Sequence, residues 1–121
     1  MCCCPARILV VDDDPLCLGA LRLNLEGLPG VEVYAAGSAE EAIALDPMAS
    51  FDLCLLDNNL KNGVDGLMLG AMIRELNPRA RLVLMSGAPT MTIERLAYEY
   101  GFETVLSKPV GAAHLADMIN R

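Results

Sequence analysis

The sequence predicts a doubly wound α/β domain, a parallel sheet covered by helices on both faces. Three observations lead there. Short apolar runs alternate five times with stretches of helical period along the 121 residues, and such alternation demands crossover connections between parallel strands. The central run, Leu53 to Leu56, is continuously apolar, as expected of a strand buried on both sides. Four of the five runs stop at a polar residue, and the carboxyl ends of strands are where open α/β sheets place their ligand crevice.

Taken in order, Arg7-Ile8-Leu9-Val10-Val11 reads as strand one and ends abruptly in Asp12-Asp13-Asp14-Pro15. Asp14 offers an N-cap acceptor and Pro15 suits the first helical position. Leu18, Leu21, Leu25 and Leu28 follow at helical spacing, and Gly30 is expected to close that helix. Val31 to Ala35 alternates and reads as strand two. Ser38, with Glu41 three residues on, forms a capping box that opens a short helix ending near Pro47. Leu53 to Leu56, running into Asp57, is strand three. On that segment alone, Asp57 could equally be a turn-capping acid.

After the Asn- and Gly-rich turn, Leu69, Met72, Ile73 and Leu76 mark a third helical face, stopped by Asn77-Pro78. Arg81 to Met85 is strand four, ending at Ser86-Gly87. Ile93, Leu96, Ala97 and Tyr100 define a fourth helix, closed by Gly101. Phe102 to Leu106 is strand five, ending at Ser107-Lys108-Pro109. Ala112, Leu115, Ala116 and Ile119 are read as the inner face of the last helix. Right-handed crossovers leave few topologies, and the flavodoxin-like (βα)5 order 2-1-3-4-5 is expected, with strands one and three adjacent at the switch point. Residues 1–6 are read as a tail and 7–121 as one domain.

Composition narrows the function. Hydrophobic residues at 54% and charged residues at 21% describe a folded globule with an ordinary core. A net charge of −7, with no cluster of Lys or Arg, argues against nucleic acid and anionic membrane surfaces as partners. No apolar run approaches the roughly 20 residues that span a bilayer, and no signal-peptide pattern opens the chain. The five cysteines are odd in number, and Cys17 and Cys54 fall in apolar patterns, which fits a reducing, cytoplasmic setting. Cys2-Cys3-Cys4 is read as an exposed tail, because no Cys or His follows at ligand spacing.

The chemistry lies in what stands at the strand ends. Strand one supplies Asp12 and Asp13, strand three Asp57, strand four Ser86 and strand five Lys108. Carboxylates gathered within a few ångströms repel, and a hard divalent cation such as Mg2+, with oxygen ligands, removes that penalty. A carboxylate can itself attack phosphorus to form an aspartyl-phosphate. Phosphoryl transfer then requires positive charge and hydrogen-bond donors, which the cation, the Lys108 ammonium and the Ser86 hydroxyl supply. Singly, each residue has an ordinary explanation: a capping acid, a solvated lysine, a serine bonded to its own turn. Together, four strand ends carry groups that one reaction needs.

These motifs resemble a family. Val10-Val11-Asp12-Asp13-Asp14-Pro15, Leu55-Leu56-Asp57, Met85-Ser86-Gly87 and Ser107-Lys108-Pro109, in that order, are similar to the signatures of the receiver domain of bacterial response regulators. The resemblance implies that Asp57 is the phosphoacceptor. It implies that Asp12 and Asp13 hold Mg2+ together with Asp57 and the backbone carbonyl of Asn59. Ser86 and Lys108 then bind the phosphoryl group, and Pro109 follows a peptide bond that is commonly cis. The implied donor is a sensor histidine kinase or phosphotransfer protein of a two-component phosphorelay. The implied output is a partner-binding surface on helix four, strand five and helix five. Asn59 and Ala88 stand where the family tunes phosphate lifetime. Such a domain is no enzyme beyond catalysing its own phosphorylation and dephosphorylation.

Two positions depart from the family: Val105 replaces an aromatic three residues before the lysine, and Lys61 replaces a proline after Asp57. His114, in the last helix, is read as a surface residue. Competing readings are a pseudo-receiver that only binds proteins, and a phosphatase of the haloacid-dehalogenase type. The latter looks for an acid where this chain has Asn59. A nucleotide binder is weaker, since no Gly-rich loop follows strand one.

Overall fold

Every strand–helix unit read from the sequence is present in the computed structural model, which describes residues 5–45, 51–60 and 65–120. The elements are β1 (Ala6–Val11), α1 (Pro15–Glu26), β2 (Val31–Ala36), α2 (Ala39–Ala44), β3 (Leu53–Asp57), α3 (Gly66–Leu76), β4 (Arg81–Ser86), α4 (Met91–Glu99), β5 (Thr104–Ser107) and α5 (Ala112–Ile119). All strand pairs are parallel, and the sheet order is β2-β1-β3-β4-β5. That is the flavodoxin-like order, with the switch point between β1 and β3.

Successive side chains on a strand point to opposite faces, and the core divides accordingly. Ile8, Val10, Leu53, Leu55, Val83 and Met85 meet Leu21 and Leu25 of α1 and Leu115 and Met118 of α5. On the other face, Leu9, Val11, Cys54, Leu56, Leu82 and Leu84 meet α2, α3 and Ala97 of α4. Each fully buried leucine contributes roughly 1.5–3 kcal/mol, so the three central strands anchor both layers.

Local chemistry sets the boundaries. The Asp14 carboxylate accepts the Leu16 N–H at 3.0 Å, with Pro15 opening α1. The helix stops at Glu26 with Gly27 as its cap. Gly30, expected to cap it, instead takes φ +72° in the turn that feeds β2, where its carbonyl accepts the Ala6 N–H at 2.8 Å. Ser38 Oγ accepts the Glu41 N–H at 3.1 Å, and the Glu41 carboxylate accepts from Gly37 N–H at 2.9 Å. The box therefore closes one residue earlier than the usual form. Cys2-Cys3-Cys4, Pro47 and Lys61 lie outside the described residues.

The α3 face differs from its leucine pattern. Leu69 and Ile73 are buried, but Met72 and Leu76 are largely exposed. Two glycines explain the rotation. A Cβ on Gly66 would lie 2.3 Å from the Asp57 carbonyl oxygen, and one on Gly70 would lie 2.4 Å from Phe102 Cζ. The helix approaches the sheet along this glycine line, with Leu67, Leu69 and Ile73 inward and Met68, Met72 and Leu76 outward. Phe102 itself precedes β5, which begins at Thr104. On α4 only Ala97 is buried, so Leu96 and Tyr100 are not core residues. On α5 the inner pair is Leu115 and Met118, and Ala112 is exposed. Arg74, near the end of α3, donates to the Gly101 carbonyl at 2.7 Å and to the Pro78 carbonyl at 3.3 Å. It ties α3 to the turn before β5.

Candidate functional site

The strand ends converge on one cleft. Asp12 follows β1 directly, Asp57 ends β3 and Lys108 follows β5. Lys108 Nζ stands 2.9 Å from Asp12 Oδ2 and 3.4 Å from Asp57 Oδ1. Asp12 is fully buried and Asp57 is 5% exposed. One oxygen from each of Asp12, Asp13 and Asp57 can be chosen so that all three lie within 4.8 Å of one another. Asp12, Asp13, Asp57, Asn59, Gly87 and Lys108 are among the residues lining a cleft of about 430 Å³.

Backbone hydrogen bonds hold these groups in place. Asp12 Oδ1 accepts the Asp14 N–H at 2.9 Å, and Asp57 Oδ1 accepts the Asn59 N–H at 3.4 Å. The Lys108 N–H donates to the Ser86 carbonyl at 2.8 Å, which pins the β5 exit to β4; the Lys108–Pro109 peptide bond is cis. Asn58 N–H donates to the Met85 carbonyl at 2.8 Å, and the Gly66 N–H reaches the Asn58 carbonyl at 3.3 Å.

Electrostatically the cleft is under-neutralised. Burial, and then the charge of Asp12, push the Asp57 carboxyl above its ordinary range despite Lys108. Burial works against the Lys108 ammonium, yet its contact with Asp12 and the charges of Asp57 and Asp12 keep its pKa above the usual value. The ammonium grips Asp12 and compensates Asp57 less. Asp12 Oδ2, although in ion-pair contact, lacks a well-aligned hydrogen bond and keeps acceptor capacity unused. Three carboxylates against one ammonium leave the mostly buried cluster with an excess of negative charge. A divalent oxygen-seeking cation fits that donor set.

The sequence-predicted residues do not all face the cleft. Asp12, Asp13, Asp57, Asn59 and Lys108 line it. Ser86 ends β4 beside it, but its Oγ accepts the Ala88 N–H at 3.2 Å in its own turn and is not part of the lining. His114 is exposed on α5, away from the cleft lining. Asp14 lines the cleft as well as capping α1. Gly66 was not singled out from sequence: its packing against the Asp57 backbone leaves no signal in one sequence, since a glycine near a helix start is common.

The sequence profile described as "Response regulator receiver domain" matches residues 8–120. The chain is 31% identical over 117 residues to the two-component response regulator ARR22 of Arabidopsis thaliana, covering 94% of this chain and 81% of that protein. It is 32% identical to the transcriptional activator protein ExaE of Pseudomonas putida, covering 94% of this chain but 53% of that protein. It is 35% identical to the response regulator protein FleR of Pseudomonas aeruginosa, covering 96% of this chain and 24% of that protein. The chain thus spans about half and a quarter of the latter two. Among solved structures, a CheY-like receiver domain protein from Methanospirillum hungatei superposes with a TM-score of 0.84 at 28% identity, covering 96% and 91% of the two chains. A response regulator from Burkholderia pseudomallei with a phosphorylated aspartic acid, calcium ion and citrate superposes with a TM-score of 0.81 at 28% identity, covering 92% and 64%.

Proposed function

This chain belongs to the response regulator receiver domain family, and on that premise we propose that Asp57 is its phosphoacceptor and that Asp12, Asp13, Asp57 and the Asn59 carbonyl hold Mg2+. The single observation that carries the reading is the cleft itself: three carboxylates and one ammonium, brought from the ends of three strands. Further domains, where the whole protein has them, would add activities outside this one. The receiver unit is taken as residues 7–121, after a tail of 1–6.

An Asp57 oxygen forms a bond to phosphorus as the bond from phosphorus to the donor imidazole nitrogen breaks. The electron pair stays with that nitrogen, and because the ring's other nitrogen carries a proton, a neutral imidazole leaves. When bound, the cation supplies positive charge for the phosphoryl oxygens and keeps Asp57 ionised. Lys108, already 3.4 Å from Asp57 Oδ1, pairs with the transferred group. Ser86 Oγ accepts the Ala88 N–H and keeps its own O–H free to donate to that group. Asn59 and Ala88 flank this path and set how readily water reaches the acyl phosphate. Apart from forming and losing its own phosphoryl group, the domain turns over no substrate. The donor is a phosphohistidine on a sensor kinase or phosphotransfer protein in the cytoplasm, and the outward signal passes through α4, β5 and α5.

Incubation with Mg2+ and acetyl phosphate, followed by intact-mass measurement, tests this. The wild-type chain should gain one phosphoryl mass, and Asp57→Asn or chelation of Mg2+ should abolish the gain. A chain that gains nothing with Mg2+ present, or an Asp57→Asn variant that still gains, refutes the assignment.

A further inference from the structure

Between α4 and β5 lies a second cavity, of about 170 Å³, that the phosphoryl chemistry does not use. Ala97 and Phe102 lie buried beneath it and Val105 is half-buried, while its accessible wall is more polar than apolar, with Thr104 among the lining residues. The smallness of Ala97 and Val105 leaves the space open. Its rim carries Glu94, Glu103 and Tyr98, the last 79% exposed. Glu103 already holds Arg81 through two bonds of 2.8 and 2.7 Å. Among the described residues no basic side chain pairs with Glu94, and Arg95 does not line the cavity.

A narrow, mostly polar cavity with carboxylates and an exposed aromatic ring at its rim suits a cationic side-chain head. Arginine matches better than lysine, because its planar fork can engage a carboxylate with two hydrogen bonds and stack on a ring. The chain's net charge of −7 favours the approach of such a group. We propose that the α4–β5 cavity receives an arginine side chain from a partner protein, with Glu94 as its principal acceptor. This rests on the reading that the α4–β5 face carries the signal outward, and it names the chemistry of the partner there.

The test uses the whole chain with Mg2+ and no phosphoryl donor, so failure of phosphorylation at Asp57 leaves the result untouched. A capped Leu-Arg-Leu peptide is titrated while backbone amide shifts are followed by NMR, beside the same peptide with citrulline for arginine. Shifts should cluster at residues 94–105. Citrulline, or Glu94→Gln, should weaken binding by about tenfold, the loss of a charge-assisted pair. Val105→Phe, which fills the cavity with an apolar ring, should abolish it. Shifts centred on the Asp12–Asp57 cleft, indifference to Glu94→Gln, or no saturable shifts overturn the proposal.

Discussion

Lys108 is the only cation among the described residues that faces three carboxylates, and it leaves Asp57 partly uncompensated. Replacing Asp57 by Asn should therefore raise the melting temperature measured without Mg2+, because one repelling charge is gone. The same variant should gain less from added Mg2+ than the wild type; equal gains would mean that Asp57 is not part of the cation site. Cys54 gives a second residue-level outcome. Burial pushes its thiol from near 9 up to about 12. A raised folded-state pKa means that its contribution to stability is complete below about 9 and is lost as pH climbs through 12. Alkylation at pH 8, mapped by peptide mass, should modify Cys54 only after denaturation; equal native and denatured rates would contradict its burial. The acids and the lysine were legible in the sequence because each ends an apolar run. The orientation of the Ser86 hydroxyl was not, since a strand-end serine can serve its own turn or a ligand with the same neighbours in sequence.

The third helix shows where pattern reading stops. Leu69, Met72, Ile73 and Leu76 share a helical spacing, yet only Leu69 and Ile73 face inward. Large apolar residues mark a face, but close approach is decided by small ones, and the line through Gly66 and Gly70 sets the contact with β3 and Phe102. Gly70→Ala should destabilise the fold by about 1–3 kcal/mol in urea unfolding, from overpacking against a ring. Phe102→Leu in the same chain should recover part of that loss. Gly66→Ala meets backbone that cannot yield as a side chain can, so it should cost more and also slow phosphorylation by displacing Asp57. A Gly66→Ala chain with unaltered stability and rate would show that the close approach does not position the acid. Helix ends were less legible than helix existence: Gly27 and Gly30 both follow the α1 pattern, and spacing alone does not say which one caps.

At the scale of the molecule, topology followed from alternation and handedness, and the order β2-β1-β3-β4-β5 brings Asp12, Asp57 and Lys108 together without a long-range signal in the sequence. Because the cleft gathers residues from strands far apart in the chain, ligand binding there should stabilise the whole fold by mass action. Mg2+ should raise the melting temperature with concentration, chelation should reverse this, and Asp13→Ala should flatten the response. A melt unmoved by Mg2+ would count against the cation site. The guanidinium bracket from Arg74 to the Gly101 carbonyl has a different consequence. It moors the far end of α4 to the body of the protein, while its near end joins the sheet through the exposed stretch from Gly87 to Thr90. The Gly101 end of α4 is thus latched to α3 by a side chain, whereas its other end, beside the cleft, is reached through exposed backbone.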